Sequence, residues 1–473
     1  MIGKRLEAFV ALAFVASGLV ALCGGCGSGG TSMNTPVTAA QVSAVTLTIT
    51  DAPPAGVTVL SFEVTVNGAV LSPGNVQLIA SPQKIEVKQL EAESAFLSTM
   101  NVPAGTYQSI AINVTNPELT ILNQTGAAIG SCANNAVCHL EPSAAGNITF
   151  SGASFPVVLQ GGTPEGFQVD VNVANLISNT LTLDFNATGA VSVAQLPLPG
   201  QPNDHFGDVD DLLGTVQNLS ASSTQFTLRT RAGDFLIQAN SSTQFELEDC
   251  AADNFSCLQN GQVVEVDASL MSGGAFVAKK IEIEDDQAQD ELEGVIFKID
   301  DATHFEVVVL GELRAMNSVD LGNTVTVSLT NPQFQVQADG LSVPSSLQGS
   351  FEGATDTSQL IPGQDVQIKA SSGVNAGSPI TMTASRVRLR MSQFTANVSG
   401  APSPPNFNLT NLPGLLTGAG ITSVQVQTSS KTNFQGVAGV NALVDQDRVS
   451  LRGLLFKNGA SAAQLIADKV RKR

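Results

Sequence analysis

Tryptophan is absent from this 473-residue chain, tyrosine occurs once and histidine three times. The flat aromatic platforms on which sugar rings commonly stack are therefore nearly unavailable, although phenylalanine occurs 22 times. Nucleophilic catalysis needs a base beside a Ser or Cys, and only His139, His205 and His304 can supply an imidazole. The first sits beside a cysteine, the second in a linker and the third at the start of a strand. No Gly-x-Ser-x-Gly elbow, phosphate-binding loop or His-Glu-x-x-His pattern occurs. These absences argue against an enzyme. Charged residues make up 13% of the chain, against ~25% in ordinary soluble domains, so Ser, Thr, Asn and Gln must supply much of the polar surface. The formal net charge is −19, which repels nucleic acid and anionic lipid headgroups. After the first 22 residues no apolar run is long enough to span a bilayer.

What is present begins at the N-terminus. Lys4 and Arg5 precede an apolar run from Ala8 to Leu22, which is too short for the ~20 residues of a membrane span and reads as a secretory leader. Cys23-Gly-Gly-Cys26 follows, and a cysteine directly after such a leader resembles the lipobox of bacterial lipoproteins, whose cysteine becomes the acylated first residue. Cys26 has small Gly24 and Gly25 before it. Cys23 has the apolar Val20 at the third preceding position but bulky Leu22 at the cut. Cys26 is the favoured lipidation site and Cys23 the alternative. The resemblance implies an extracytoplasmic chain anchored by lipid, at the outer membrane, on its surface or periplasmic face. Several acyl chains hold a protein stably where one does not. Removing Lys4, Arg5 and Glu7 takes away a net +1, leaving the mature chain near −20.

The remaining cysteines form two close pairs, Cys132 with Cys138 and Cys250 with Cys257. In an exported protein each pair reads as a small disulfide-closed loop, contributing ~2 kcal/mol by restricting the unfolded chain. Only His139 lies near a cysteine, which leaves little for zinc.

Residues 1–25 read as leader and 26–41 as a flexible tether. Residues 42–196 alternate as half-buried strands do, in Val45-Thr-Leu-Thr-Ile-Thr50, Phe62-Val64-Val66, Ile110-Ala-Ile-Asn-Val114, Phe167-Gln-Val-Asp-Val-Asn-Val173 and Leu181-Thr-Leu-Asp-Phe185. Their spacing predicts a β-sandwich. A strand ending in Thr50-Asp-Ala-Pro-Pro54, the Pro103-Ala-Gly-Thr-Tyr107 turn and the leader together resemble the bacterial domain-of-unknown-function family 4382, which implies a β-rich lipoprotein domain without catalytic residues.

Beyond a Pro-rich acidic linker over 197–211, the chain repeats itself. Leu213-Gly-Thr-Val216, Phe226-Thr-Leu228, Thr243-Gln-Phe245, Gly261-Gln-Val-Val-Glu-Val266 and Ala278-Lys-Lys-Ile-Glu-Ile283 recur as Glu293-Gly-Val-Ile296, Phe305-Glu-Val307, Pro332-Gln-Phe334, Gly363-Gln-Asp-Val-Gln-Ile368 and Ala384-Ser-Arg-Val-Arg-Leu389. They recur again as Val398-Ser-Gly400, Phe407-Asn-Leu409, Thr432-Asn-Phe434, Asp447-Arg-Val-Ser-Leu451 and Ala467-Asp-Lys-Val470. The pattern resembles domain-of-unknown-function family 5666. It predicts an all-β chain, the sandwich being followed by three small, OB-like barrel modules over 212–286, 291–391 and 394–473.

Acidic clusters are the strongest chemical signal. Asp204, Asp208, Asp210 and Asp211 precede the first repeat, and Glu282, Glu284, Asp285, Asp286, Asp290 and Glu291 follow it. Carboxylates converging at a junction would suit Ca²⁺, which takes six to eight oxygens, although no EF-hand spacing is present and a solvated linker is the plainer reading. No other cofactor is indicated. The expected function is non-enzymatic, in adhesion, assembly or envelope structure. The alternative is a calcium-assisted binder of glycan or another extracellular ligand. A purely structural role predicts no concave polar pocket shared among modules. A binder predicts a groove lined with Asn, Gln and Asp, and an enzyme predicts a buried, pKa-shifted carboxylate or histidine in a cleft.

Overall fold

The computed structural model describes residues 42–473 apart from 53–56, 93–94, 143–146, 152–153, 164, 179–180, 197–207, 231–232, 247–251, 253, 271–275, 284–289 and 315–318. The lipidation candidates Cys23 and Cys26 lie outside the described residues, as do His205, Cys250, Asp204, Glu284, Asp285 and Asp286.

The N-terminal module holds twelve strands: β1 (Val42–Ala52), β2 (Val57–Ser72), β3 (Val76–Gln77), β4 (Gln83–Glu86), β5 (Ala95–Pro103), β6 (Gly105–Tyr107), β7 (Ser109–Asn123), β8 (Val137–Leu140), β9 (Asn147–Phe150), β10 (Val157–Leu159), β11 (Glu165–Asn172) and β12 (Val191–Leu196). One sheet runs β12-β11-β1-β5 and the other β3-β2-β7-β8, with β4 beside β2 and β9 beside β7. Phe62, Val64 and Val66 point into a core that Ile110, Ile112, Phe167 and Val169 share. The alternation read from the sequence is therefore the inward face of a β-sandwich. A register shift between Val59 and Ser61 turns Leu60 out of that core, as a bulge does when it re-aims one side chain.

One expected strand is not formed. Leu181, Leu183 and Phe185 are all buried, but Leu181 has φ +59°. The backbone there answers a short helix instead, Asp184 N donating to Leu176 O at 3.0 Å. Side-chain alternation is satisfied without a ladder, because the three apolar groups plug the sandwich end from an irregular loop.

Three barrels follow. The first comprises β13 (Asp208–Ser220), β14 (Gln225–Thr230), β15 (Gly233–Gln238), β16 (Gln244–Glu246), β17 (Val263–Leu270) and β18 (Phe276–Ile283). The second comprises β19 (Glu291–Ile299), β20 (His304–Arg314), β21 (Thr324–Val336), β22 (Asp365–Ala370) and β23 (Ile380–Leu389). The third comprises β24 (Met391–Ser403), β25 (Asn406–Thr410), β26 (Ser423–Gln427), β27 (Asn433–Gln435), β28 (Arg448–Lys457) and β29 (Ala462–Lys472). In each, an antiparallel meander of three strands closes onto the last strand by a parallel pairing: β15 with β18, β21 with β23, and β26 with β29. These are five-stranded barrels of the OB type.

The repeat signature marks one hydrogen-bonded position. Val216 N donates to Gln262 O, Ile296 N to Gln364 O and Val398 N to Asp447 O at 2.8, 2.9 and 2.8 Å. The chain returns the bond from Gly261, Gly363 and Gln446, whose N–H groups donate to Val216, Ile296 and Val398 at 2.8 Å each. Two residues earlier, Gly214 and Gly294 pass so close to the second strand that a Cβ would lie 2.6 Å from Arg229 O or Val308 O. Phe334 is buried, and Phe245 and Phe434 pack partly buried against their barrel cores, so the recurring phenylalanine is a core position. Separate apolar clusters fill the sandwich and the three barrels, and residues 41–473 form one compact unit.

Candidate functional site

Where the sandwich meets the second and third barrels, a cleft of about 980 Å³ opens. That lies at the upper end of the ~300–1,000 Å³ range of small-molecule sites. Its floor is apolar. The outward-turned Leu60 of β2 packs with Val295, Val308 and Leu310 of the second barrel and Leu415 of the third, and all but Val308 also line the cleft. Leu415 comes from a one-turn helix, Gly414–Gly418, which Gln124 at the end of β7 holds in place. The Gln124 amide donates to Gly414 O at 3.0 Å and accepts from Thr58 Oγ1 at 2.9 Å.

The charged groups of the cleft are Lys88 and Glu91 from the sandwich, Asp365 from β22 and Arg448 from β28. Lys88 pairs with Glu91 and donates to Gln393 O at 3.2 Å. Glu91, almost fully buried, also accepts from Thr395 Oγ1 at 3.0 Å. Asp365 stands at the start of its strand, its backbone tied to Ser392 Oγ at 2.9 Å. Burial pushes its carboxyl up to about 8; Lys88 and Arg390 pull it down, and Glu293 and Glu91 push it further up. Besides Gln124 and Gln393, four carboxamides, Gln89, Asn135, Asn397 and Asn411, line the same space, and none of these four appears in any side-chain hydrogen bond of the described residues.

Between the first and second barrels the contact is ionic. Arg390 pairs with Glu265, both nearly buried, and its Nε lies 3.7 Å from Glu293. Lys280 Nζ is 2.7 Å from Asp339 and 2.8 Å from Glu282.

Three of the predicted calcium ligands have partners within the protein. Glu282 accepts from Lys280 and, at 2.8 Å, from Gln337 Nε2. Glu291 pairs with Arg386 at 2.5 Å, and Asp290 accepts from Val374 N at 2.7 Å. Asp208, Asp210 and Asp211 lie on β13. Among the described residues no group of three or more His, Cys, Asp or Glu side chains is placed to hold a metal ion. Cys132 and Cys138 are joined, with Cα atoms 5.8 Å apart, and Cys257 is disulfide-bonded. His139 contacts Thr120 Oγ1 at 2.9 Å, and His304 lies 3.0 Å from Asp301 at the surface. Neither histidine reaches the cleft. Sequence reasoning missed the cleft because its lining comes from three modules and carries no local motif.

Comparison with known proteins fits this architecture. Residues 42–198 match the domain of unknown function DUF4382. Residues 214–282, the first barrel, match DUF5666, also a domain of unknown function. The order is the one expected from the sequence, and the second and third barrels repeat the closure and hydrogen bonds of the first. No curated protein matches the chain. Among solved structures, "drosophila Unr CSD456" is 10% identical, covering 56% of this chain and 98% of that one at a TM-score of 0.14. A multidomain protein with nucleic acid binding domains from Streptococcus pneumoniae is 9% identical, covering 54% and 71% at a TM-score of 0.11. At such scores neither carries an argument.

Proposed function

We propose that this chain is a non-enzymatic, extracytoplasmic protein, anchored to the membrane through Cys26 (or Cys23), that works by binding. Its docking site is the cleft between the sandwich and the second and third barrels. One observation carries the reading: three modules converge on a concave site with an aliphatic floor and a rim of carboxamides. A purely structural role in the envelope predicts no such site, so adhesion or assembly through a bound ligand moves ahead of it.

Asp365 is the one feature that also fits an enzyme. Glycoside hydrolysis needs a second carboxylate facing the sugar, and the neighbouring Glu91 is committed to Lys88 and Thr395. Among the described residues lining the cleft, none is His or Cys. Binding without turnover is the simpler chemistry.

The test uses the full chain on arrays of glycans and peptides beside an Asn397→Trp variant that fills the cleft. Binding to at least one class, lost in a variant of unchanged melting temperature, supports the reading. No binding, or binding that the variant leaves intact, overturns it, and turnover of a bound glycan overturns the non-enzymatic part. Metabolic labelling with a palmitate analogue tests the anchor: Cys26→Ser should lose label and membrane association, whereas loss only in Cys23→Ser moves the acylated residue to Cys23.

A further inference from the structure

Resting on that reading of the cleft, we infer that its occupant is a neutral, hydroxyl-rich ligand, an uncharged oligosaccharide of more than one ring. Three observations select this class. Of the charged groups lining the cleft, Lys88 is already paired with Glu91, and burial raises the Asp365 carboxyl to about 8, which leaves it neutral below that pH. A cationic ligand would therefore find no carboxylate left to meet it, and leaving a charge unpaired in such a site is costly.

The four carboxamides supply what a sugar hydroxyl asks for. Each offers two N–H donors and one carbonyl acceptor, and a hydroxyl both donates and accepts. Gln89 and Asn135 reach in from the sandwich, Asn397 and Asn411 from the third barrel, so the two pairs face the cleft from different modules. Asp365 fits the same chemistry, since burial holds its carboxyl protonated up to about 8 and it then adds a donor rather than a charge. Beside them Leu412 and Pro413, both half-buried, offer apolar surface for the C–H face of a ring. The volume of about 980 Å³ sits at the top of the small-molecule range, which suits several rings better than one.

Two double variants of the full chain test this class. Asn135 and Asn411 have φ +61° and +50°, so each is changed to Gly, which keeps that backbone without strain. One variant is Gln89→Ala with Asn135→Gly, the other Asn397→Ala with Asn411→Gly. Calorimetric titration at pH 6.5 uses neutral malto-, cello- and chito-oligosaccharides, an anionic polygalacturonate fragment and uncharged hexapeptides. The expected result is binding of a neutral oligosaccharide, weakened about tenfold by each double variant, as losing one or two hydrogen bonds implies. Preference for the anionic fragment or the hexapeptides, with the same variants weakening it, overturns this inference and leaves the cleft as the docking site. Oligosaccharide binding unchanged by both variants also overturns it. No binding of any probe by the wild-type chain removes both the inference and the docking site it rests on.

Discussion

The side-chain amide of Gln124 lies where a methyl group on Gly414 would have to go. Gln124 Nε2 donates to Gly414 O at 3.0 Å, and an added Cβ would overlap Gln124 Oε1 and sit 2.7 Å from Thr58 Oγ1. The glycine is there for space, because its backbone conformation is one that any residue can adopt. Gly414→Ala should push Gln124 out of its two hydrogen bonds and loosen the third barrel from the sandwich, costing about 1–3 kcal/mol. Denaturant unfolding measures the cost. Hydrogen exchange should localise it to residues 411–418, and protection unchanged there would refute the locking role.

Stability should fall as the pH rises from the acid range through neutrality. Burial raises Asp365 to about 8 and Glu86 to about 7, both above the ordinary carboxyl range near 4. Between those limits the folded chain holds protons that the unfolded chain has released, so unfolding becomes easier as pH rises from about 4 to about 8 and levels off above that. A melting curve at each half pH unit checks the sign. Asp365→Asn, neutral throughout, should flatten the upper part of the slope, and an unchanged slope would exonerate this carboxyl.

Arg390 and Glu265 make a similar case at the seam between the first and second barrels. Both are nearly buried, so removing the cation strands a carboxylate away from water. Arg390→Met should cost about 3–5 kcal/mol, while Arg390→Met with Glu265→Leu should recover most of it, since a buried pair can often be replaced by apolar groups without loss. Calorimetry that shows the double variant no more stable than the single one would contradict this.

The third barrel carries a correctable strain. Gln446 occupies the turn position that Gly261 and Gly363 hold in the other two repeats, and its φ is +69° against +92° and +94°. Gln446→Gly should raise stability by about 1 kcal/mol, the order of the left-handed penalty for a residue with a Cβ. The entropy of a freer unfolded chain reduces that gain. A measured destabilisation above the error of chemical unfolding would refute it.

These relationships also show how much the sequence disclosed. Alternation at Phe62, Val64 and Val66 and the recurring Gly261-Gln and Gly363-Gln steps were readable, because a half-buried strand and a tight turn each leave a local pattern. The third strand of every barrel was not. Gly233–Gln238 follows its predecessor after two residues, whereas Ser423–Gln427 comes after a twelve-residue excursion that includes the Gly414 helix. In the second barrel the same strand is fused into the thirteen-residue Thr324–Val336. A fixed period cannot find an element whose offset changes with each copy. The cleft was hidden for a related reason: Gln89, Asp365 and Asn411 are brought together only by module packing. In the acidic runs, Glu282, Asp290 and Glu291 are held by Lys280, a backbone amide and Arg386, partners that lie far from them in the chain or carry no motif.

The parallel pairing that shuts each barrel has an effect on how many copies of this chain can live side by side. An open sheet of β-strands ends in unpaired amides and carbonyls that invite the next molecule to add on. With charged residues at only 13% of the chain, edge lysines and glutamates are scarce as a deterrent. Ring closure removes the invitation by topology instead, and the extra strands Gln244–Glu246 and Asn433–Gln435 are three residues each, too short to template a neighbour. In the three barrels, protection against edge-to-edge pairing is thus written into strand order.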